Sequence, residues 1–259
     1  GRILELGRIV DAKLTLEHLS DDDFVPFGLV SEDVKWRIDS TTVRVSGPAA
    51  EPRQLAVDAD LQASGIVVGN IKADTVAFKA GLKTGEMKLE SLSIGSVTNA
   101  FSVSGHVAMP ESWAQMASAA PQLKWTLKAP ALEAFFANAP HVTGQLNGEG
   151  MVALDKGKLS GATASIDGSA LKVLGVPMNS VKAEITTDAD EVQVKSFRLQ
   201  LDDHNTAEVS GSLNLAGSQR ANLNWQIACN DLAMLAKSEG LKHLALPVRG
   251  GLKAEGTFD

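Results

Sequence analysis

Histidines and clustered carboxylates are the residues of this 259-residue chain best suited to bind a metal ion. Zinc sites place histidines at close spacing, for example four residues apart on one face of a helix. The sequence therefore favours histidines in turns or facing solvent, because their spacing is irregular and they fall in different predicted elements. The five histidines are His18, His106, His141, His204 and His243.

Two acidic clusters, at residues 21–23 and 188–191, lie in predicted loops. Calcium-binding loops combine such carboxylates with a central glycine and a distal glutamate, and neither cluster has this pattern. The chain also lacks a Gly-x-Ser-x-Gly elbow, a phosphate-binding glycine-rich loop and a dinucleotide fingerprint. We therefore expect no metal, no cofactor and no enzymatic activity.

The charge of the chain argues against a nucleic-acid partner. Its net charge is −7, whereas binding to phosphates needs clustered lysine and arginine. Its apolar residues are mainly aliphatic, with 8 Phe, 4 Trp and no Tyr. The single cysteine, Cys229, lies in an apolar stretch and is predicted to be buried. No stretch reaches the roughly 18 to 20 apolar residues of a membrane-spanning helix, so we expect any membrane anchor to lie outside this sequence.

Alternation of apolar and polar residues dominates the chain and predicts β-strands. A strand with one apolar and one polar face is typical of a half-exposed antiparallel sheet. Glycine, asparagine, aspartate and serine separate the segments, as turns require. The predicted strands include residues 10–16, 34–38, 55–61, 87–94, 101–109, 123–127, 181–185, 192–201, 207–215 and 223–227. Short helices are predicted at residues 110–119, 131–138 and 231–237.

An internal repeat is the most informative feature of the sequence. Six segments recur in the same order, and the differences in length between the copies fall in predicted loops. Chance similarity between strand-rich segments would give one such match but not six in order. The matched segments are 57–60 with 166–169, 71–74 with 181–184, 87–94 with 192–199, 103–105 with 209–211, 123–127 with 223–227, and 142–146 with 248–252.

The repeat predicts one continuous elongated domain. Residues 1–55 would end a preceding copy, residues 56–155 would form the first copy, and residues 156–259 the second. The competing interpretation is a structural or adhesive array of tandem β-sandwiches, which would need a polar hinge between copies. Residues 155–165 instead continue the alternation, which favours a continuous sheet.

Both copies also contain a step of three residues between apolar positions, from Leu89 to Leu92 and from Val194 to Phe197. An extra residue at such a step is typical of a β-bulge, which bends its strand. A bend at the same place in each copy predicts a sheet that curls along its length.

The motifs of the second copy resemble those of the AsmA/TamB superfamily of bacterial envelope proteins. They are V-S-G-x-L-x-L at residues 209–215, L-x-W-x-I at 223–227, a short leucine-containing helix at 231–235, and V-x-G-x-L-x-x-x-G at 248–256. The earlier copy of these motifs spans residues 103–150. The resemblance extends over roughly residues 55–259 and includes no catalytic residue.

The resemblance implies a periplasmic protein that an N-terminal helix, absent from this sequence, anchors in the inner membrane. It implies a long curved sheet with an apolar concave face, known as a β-taco or repeating β-groove. It also implies transport of phospholipids between the inner and outer membranes, with acyl chains as the ligand. The alternative that the resemblance allows is a scaffold for assembling outer-membrane proteins, with an outer-membrane barrel protein as partner.

The residue pattern is compatible with that implication, because the predicted helices are too few to cover the aliphatic faces. Uncovered apolar area is unfavourable by about 25 cal/mol per Å², so a second sheet, the folded sheet itself or acyl chains must cover it. We predict an all-β, curled antiparallel sheet of about 12 to 15 strands. For Trp125 and Trp225, core packing is the alternative to a place in the groove. The predicted groove residues are Leu89, Leu92, Ile94, Val103, Trp125, Leu127, Val194, Phe197, Leu199, Val209, Trp225 and Ile227.

Overall fold

The structure, a computed structural model, contains 14 strands in one antiparallel sheet among the residues that it describes, and the order of strands in the sheet is their order in the chain. It describes residues 9–23, 34–136, 142–215, 220–230 and 251–258. Short 3-10 helices at Pro52–Gln54, Trp113–Ser118 and Leu132–Phe135 lie in the connections. The strands are β1 (Ile9–Ser20), β2 (Val34–Pro48), β3 (Ala56–Val68), β4 (Ile71–Lys83), β5 (Glu86–Ser96), β6 (Asn99–Ala108), β7 (Gln122–Ala129), β8 (Val142–Asp155), β9 (Lys158–Val173), β10 (Val176–Asp188), β11 (Glu191–Gln200), β12 (Asn205–Asn214), β13 (Ala221–Cys229) and β14 (Leu252–Phe258).

The prediction of an all-β chain in one antiparallel sheet with a few short helices is confirmed. Two of the predicted helical segments contain the 3-10 helices Trp113–Ser118 and Leu132–Phe135. The predicted helix at residues 231–237 lies outside the described residues, as do His141 and His243.

The chain divides into two compact units, and each is described by itself below. Unit 1 contains β1 to β6, and unit 2 contains β10 to β14. Strands β7, β8 and β9 are divided between the two units.

The predicted bulge in the first copy is present in β5. Leu89 pairs with Gly105 of β6, and Leu92 pairs with Val103, so three steps along β5 match two along β6. Because a bulge restores the direction of side chains after the extra residue, Leu89 and Leu92 lie on the same face.

The second copy has the same irregularity at the equivalent place in β11. Val194 pairs with Gly211 of β12, and Phe197 pairs with Val209. The two copies therefore share both the position of the bulge and the pairing around it.

The strand pairing corrects one match of the sequence repeat. Val76 pairs with Ile94, and Val181 pairs with Leu199, which is the equivalent of Ile94 in the second copy. Val76 is therefore the counterpart of Val181, whereas the sequence match with Ile71 was five residues out of register. Alternating patterns look alike when shifted along a strand, and only long-range pairing fixes the register.

The match between β3 and β9 is corrected in the same way. Leu61 pairs with Phe78, whereas Ile166 pairs with Ala183, the counterpart of Phe78 in the second copy. Ile166 is therefore equivalent to Leu61, four residues beyond the matched Val57.

Few apolar side chains are buried, and most of these lie at or near strand ends. Cys229, at the end of β13, is 8% exposed, as the sequence predicted, and burial raises the pKa of its thiol. The buried apolar residues of the described chain are Leu55, Ala63, Ala73, Leu82, Met109, Ala129, Leu171, Ala183 and Cys229. This core is small for a sheet of this size, and most apolar strand residues lie outside it.

Two equivalent glycines allow neighbouring strands to approach closely beside the bulges. A Cβ atom on Gly105 would overlap the Gln122 carbonyl oxygen, and one on Gly211 would overlap the Asn222 carbonyl oxygen. Gly211 also has φ +133°, a conformation that favours glycine. The absence of a side chain is thus a requirement of the backbone geometry at both positions.

We expect Gly105→Ala to lower the free energy of unfolding by about 1–3 kcal/mol, because β7 must move away from the added methyl group. Urea denaturation measures the change. The matched control is Gly161→Ala, where the new Cβ would lie 3.4 Å from its nearest atom, the Thr187 carbonyl oxygen. Equal effects of the two substitutions would contradict the close approach.

Candidate functional site

One face of unit 1 is formed by apolar residues that lie opposite one another in successive strands. Directly paired residues in an antiparallel sheet point to the same side, so each series of pairs forms a row on one face. Thr41 is the only polar residue in four such rows. The rows are Leu16–Thr41–Leu61–Phe78–Leu92–Val103, Leu14–Val43–Ala59–Ala80–Leu89–Gly105, Leu19–Ile38–Ala63–Val76–Ile94–Phe101, and Ala12–Val45–Val57–Leu82–Met87–Val107. We call this surface the apolar face of unit 1.

Unit 2 has an apolar face of the same construction. The indole of Trp225 lies over Gly256, where a Cβ atom would be only 2.8 Å from Cζ2. Every residue in three rows of this face is apolar or glycine. The rows are Ile166–Ala183–Phe197–Val209–Trp225–Gly256, Gly168–Val181–Leu199–Ala207–Ile227–Ala254, and Ala164–Ile185–Val194–Gly211–Leu223.

Ten of the twelve predicted groove residues belong directly to these rows. The other two, Trp125 and Leu127, lie in β7 on either side of Thr126. The Thr126 hydroxyl is 2.6 Å from the hydroxyl of Ser102, and Ser102 alternates with Phe101 and so points away from the apolar face. Trp125 and Leu127 therefore lie on the apolar side of β7.

The predicted residues are half-buried, with Ile227 slightly more exposed at 36%. Side chains of neighbouring strands cover the flanks of these side chains. No second sheet exists among the described residues to cover the ends of these side chains. Leu14, at 52%, and Met87, at 40%, are even more exposed. Each of the two faces therefore presents apolar side chains at its surface instead of sealing them in a core.

In each unit, the side of the strands opposite the apolar face carries ion pairs. Lys79 and Glu90 are 2.9 Å apart, and their hydrogen bond lowers the pKa of Glu90 and raises that of Lys79. All of these side chains are well exposed, so each pair adds little to stability. Other pairs opposite the apolar rows of their own unit are Arg37–Asp39, Lys83–Asp58, Lys182–Asp167 and Arg198–Glu208. In each unit these ion pairs therefore lie opposite the apolar rows of the same strands.

A network of polar groups fixes the β5–β6 turn at one end of unit 1. The Asp74 carboxylate accepts the Val97 N–H at 2.7 Å and lies 3.2 Å from the Lys72 ammonium. The bond from Val97, followed by that from Lys72, lowers the pKa of Asp74. Ser96, which is buried, donates its hydroxyl to the Ala134 carbonyl. These contacts connect the turn to the 3-10 helix that follows β7.

The equivalent turn of unit 2 depends on a buried asparagine. Asn205 is fully buried, and its side-chain amide donates to Asp202 Oδ2 at 2.7 Å. Asp202 Oδ1 also accepts the backbone N–H groups of His204 and Asn205. Asn99 occupies the equivalent position in unit 1 and is 3% exposed. Each copy thus begins its fourth strand with a buried asparagine.

The residues with metal-binding chemistry form no site in the part of the chain that the structure describes. Asp23 instead accepts the Ser20 N–H at 2.8 Å, and Asp21 accepts the Trp36 N–H at 3.3 Å. The first acidic cluster therefore stabilises a turn. No helix among the described residues is long and apolar enough to cross a membrane.

The sequence prediction missed several members of the apolar face. Leu61 and Phe101 lie inside the predicted strands 55–61 and 101–109 and fit their alternation, so the same pattern already placed them on the apolar side. Phe78 was missed because its neighbours in β4 are mainly alanine, glycine and lysine, which hide the alternation. The two buried asparagines carried no periodic signal.

Comparisons with protein-family models, with characterised proteins and with solved structures found no match to this chain.

We expect Asp74→Asn to lower the free energy of unfolding by about 1 kcal/mol at pH 7, through weakening of the Val97 and Lys72 bonds. Because folding lowers the pKa of Asp74 below 3.8, its charge stabilises the fold above that pH. This contribution is lost as the pH falls through the lower folded-state pKa.

Chemical denaturation from pH 7 to pH 2 should therefore show the difference between the two proteins shrinking below about pH 4. Asp155→Asn, which changes an exposed carboxylate outside the network, is the control. A difference for Asp74→Asn that stays constant to pH 2 would contradict the assigned role.

Proposed function

We propose that this chain is a periplasmic segment of an AsmA/TamB-like envelope protein and that its apolar faces carry phospholipid acyl chains between the inner and outer membranes. The observation that supports this most directly is the continuity of the apolar rows across successive strands. The repeat motifs that resemble the AsmA/TamB superfamily support it independently.

Contact with an acyl chain would stabilise such a surface. Each methylene group removed from water contributes about 0.8 kcal/mol, and the half-buried leucine, valine and phenylalanine side chains provide the contact area. The charged opposite side of the sheet would remain in water. The amphipathic sheet therefore matches the amphipathic character of a phospholipid.

The uniformity of the rows favours transport over storage. A binding pocket fixes its ligand with a few specific polar groups, whereas Thr41 is the only polar residue in the rows of the described chain. Contacts with an acyl chain are then similar at each step along a row, so the chain can move without breaking strong bonds. The direction of movement would be set outside this segment.

Tryptophan fluorescence can test whether acyl chains occupy these faces. Trp225 lies on the apolar face of unit 2, whereas Trp113 lies in the β6–β7 connection, 47% exposed, with its indole N–H bonded to the Ala49 carbonyl. Proteins that retain only one tryptophan, with phenylalanine at the other positions, would be mixed with phospholipid brominated on its acyl chains.

We expect bromine to quench the emission of the Trp225 protein strongly and that of the Trp113 protein weakly, because quenching needs contact with the chain. Lipid with unbrominated chains is the blank for both proteins. Equal quenching of the two would indicate nonspecific adsorption and contradict the proposal.

A charge on the apolar face should prevent lipid binding. We expect Val209→Asp to reduce co-purifying phospholipid at least tenfold, because the carboxylate would lose its hydration under an acyl chain. Val103→Asp should act in the same way in unit 1. Native mass spectrometry of protein purified from a Gram-negative periplasm measures the bound lipid.

The matched controls place the same charge on the other side of the same strands. Ser210→Asp and Ser104→Asp should retain bound lipid, and circular dichroism should show that all four variants are folded. If the Ser210 and Val209 variants lose lipid equally, the binding surface is not the apolar face. A folded wild-type protein without lipid would favour the alternative of a scaffold for outer-membrane protein assembly.

A further inference from the structure

The connection between β6 and β7 in the first copy is longer than the equivalent connection between β12 and β13 in the second copy. In the first copy, residues 109–121 join Ala108 to Gln122, whereas in the second copy only residues 215–220 join Asn214 to Ala221. Neighbouring antiparallel strands need only a short connection. We call residues 109–121 the strap, because they leave the sheet and return to it.

The strap extends along the ends of neighbouring strands of unit 1. The Met109 N–H donates to the carbonyl of Gly85, in the β4–β5 turn, at 2.7 Å. Arg53 Nε donates to the Met109 carbonyl at 2.8 Å, and Trp113 Nε1 donates to the Ala49 carbonyl at 2.8 Å. Because Ala49 and Arg53 lie between β2 and β3, the strap reaches from β6 past the ends of β5, β4 and β3.

The side chain of Met109 covers part of the apolar face. It is 2% exposed and packs with Leu55 and Leu82, while Val45 and Val57 pack against the same cluster. Val45, Val57 and Leu82 belong to one row of the apolar face of unit 1. Met109 therefore occupies the end of a surface that is half-exposed elsewhere.

We propose that Met109 occupies an acyl-chain subsite on Val45, Val57, Leu55 and Leu82, and that an incoming lipid chain displaces the strap to bind there. This inference rests on the function proposed above. A methionine side chain is unbranched, flexible and apolar, so it has the shape and chemistry of a short length of acyl chain. The strap thus keeps the subsite covered when no lipid is present.

Apart from the contacts of Met109, the strap is held by single hydrogen bonds from Trp113 to Ala49 and from Leu154 to Pro121 and by exposed side chains, so it can open while the sheet stays folded. The 3-10 helix Trp113–Ser118 buries no residue, and Met116 is 38% exposed. The ion pair between Arg53 and Glu111 is exposed on both sides, where such pairs contribute little. Segments with little buried apolar area open at a small fraction of the cost of global unfolding.

Arg53 is the positioning residue of the strap. Its stem lies over Gly85, where a Cβ atom would be 3.3 Å from Arg53 Cγ, and its guanidinium holds the Met109 carbonyl. The hydrogen bonds of its side chain go to Met109 and Glu111, which both belong to the strap. Loss of this side chain should therefore favour the open strap without removing any surface that an acyl chain would contact.

Thiol labelling tests the displacement directly. In Met109→Cys, a maleimide reagent can react at position 109 only when the strap opens. Cys229, which is buried in unit 2, reports on global unfolding in the same molecule. Peptide mass spectrometry gives the two labelling rates separately, with lysophosphatidylcholine as the probe and glycerophosphocholine, which has no acyl chain, as the control.

We expect lysophosphatidylcholine to accelerate labelling at position 109 at least tenfold without accelerating that of Cys229, and glycerophosphocholine to have no effect. Adding Arg53→Ala should raise the rate without lipid about fivefold, which corresponds to loss of one hydrogen bond. Adding Glu111→Ala, which removes only the exposed ion pair, should leave that rate unchanged.

If lipid quenches Trp225 but does not accelerate labelling at position 109, the strap is a fixed part of the fold and this inference fails while the proposed function stands. If lipid neither quenches Trp225 nor accelerates labelling at position 109, this inference and the proposed function both fail. Acceleration of Cys229 labelling together with position 109 would mean that the lysolipid unfolds the protein, which would also overturn the displacement.

Discussion

Cross-strand pairing within a single layer is the constraint on which the rest of this structure depends. Within the sheet, a strand can bury apolar area only against the strands beside it, since no second sheet lies over the described residues. The buried core is consequently confined mainly to strand ends, where connections such as the one containing Met109 fold back onto the sheet. The remaining apolar side chains form rows that are half covered by one another. The apolar faces are therefore a direct result of the topology.

The residues of the faces were largely predictable from the sequence, because side chains alternate between the two sides of a strand. Leu92, Val103 and Phe197 were assigned to one face by spacing alone, and the pairing places them in equivalent rows. The bulges were also predictable, because an extra residue leaves a three-residue step in a two-residue pattern. Local periodicity thus determined which side each residue occupies.

Register and long connections were not predictable in this way. Ile71 was matched with Val181 because a shifted alternating pattern looks almost the same, and only the pairing across strands identifies Val76 as the counterpart. The role of Met109 depends on Arg53 and Gly85, which are distant in sequence. Residues 110–119 were predicted as a short helix, and the pattern carried no sign that the connection covers part of the apolar face.

The strand order has a kinetic consequence. Since every strand pairs with the strands next to it in sequence, most of the stabilising contacts form between residues a few tens of positions apart. Low contact order of this kind favours fast folding, and nearest-neighbour stability lets a chain fold from one end as it emerges into a compartment. Each new strand would pair at once with the strand that folded before it. This limits the time during which an apolar face and an unpaired edge are both exposed to other chains.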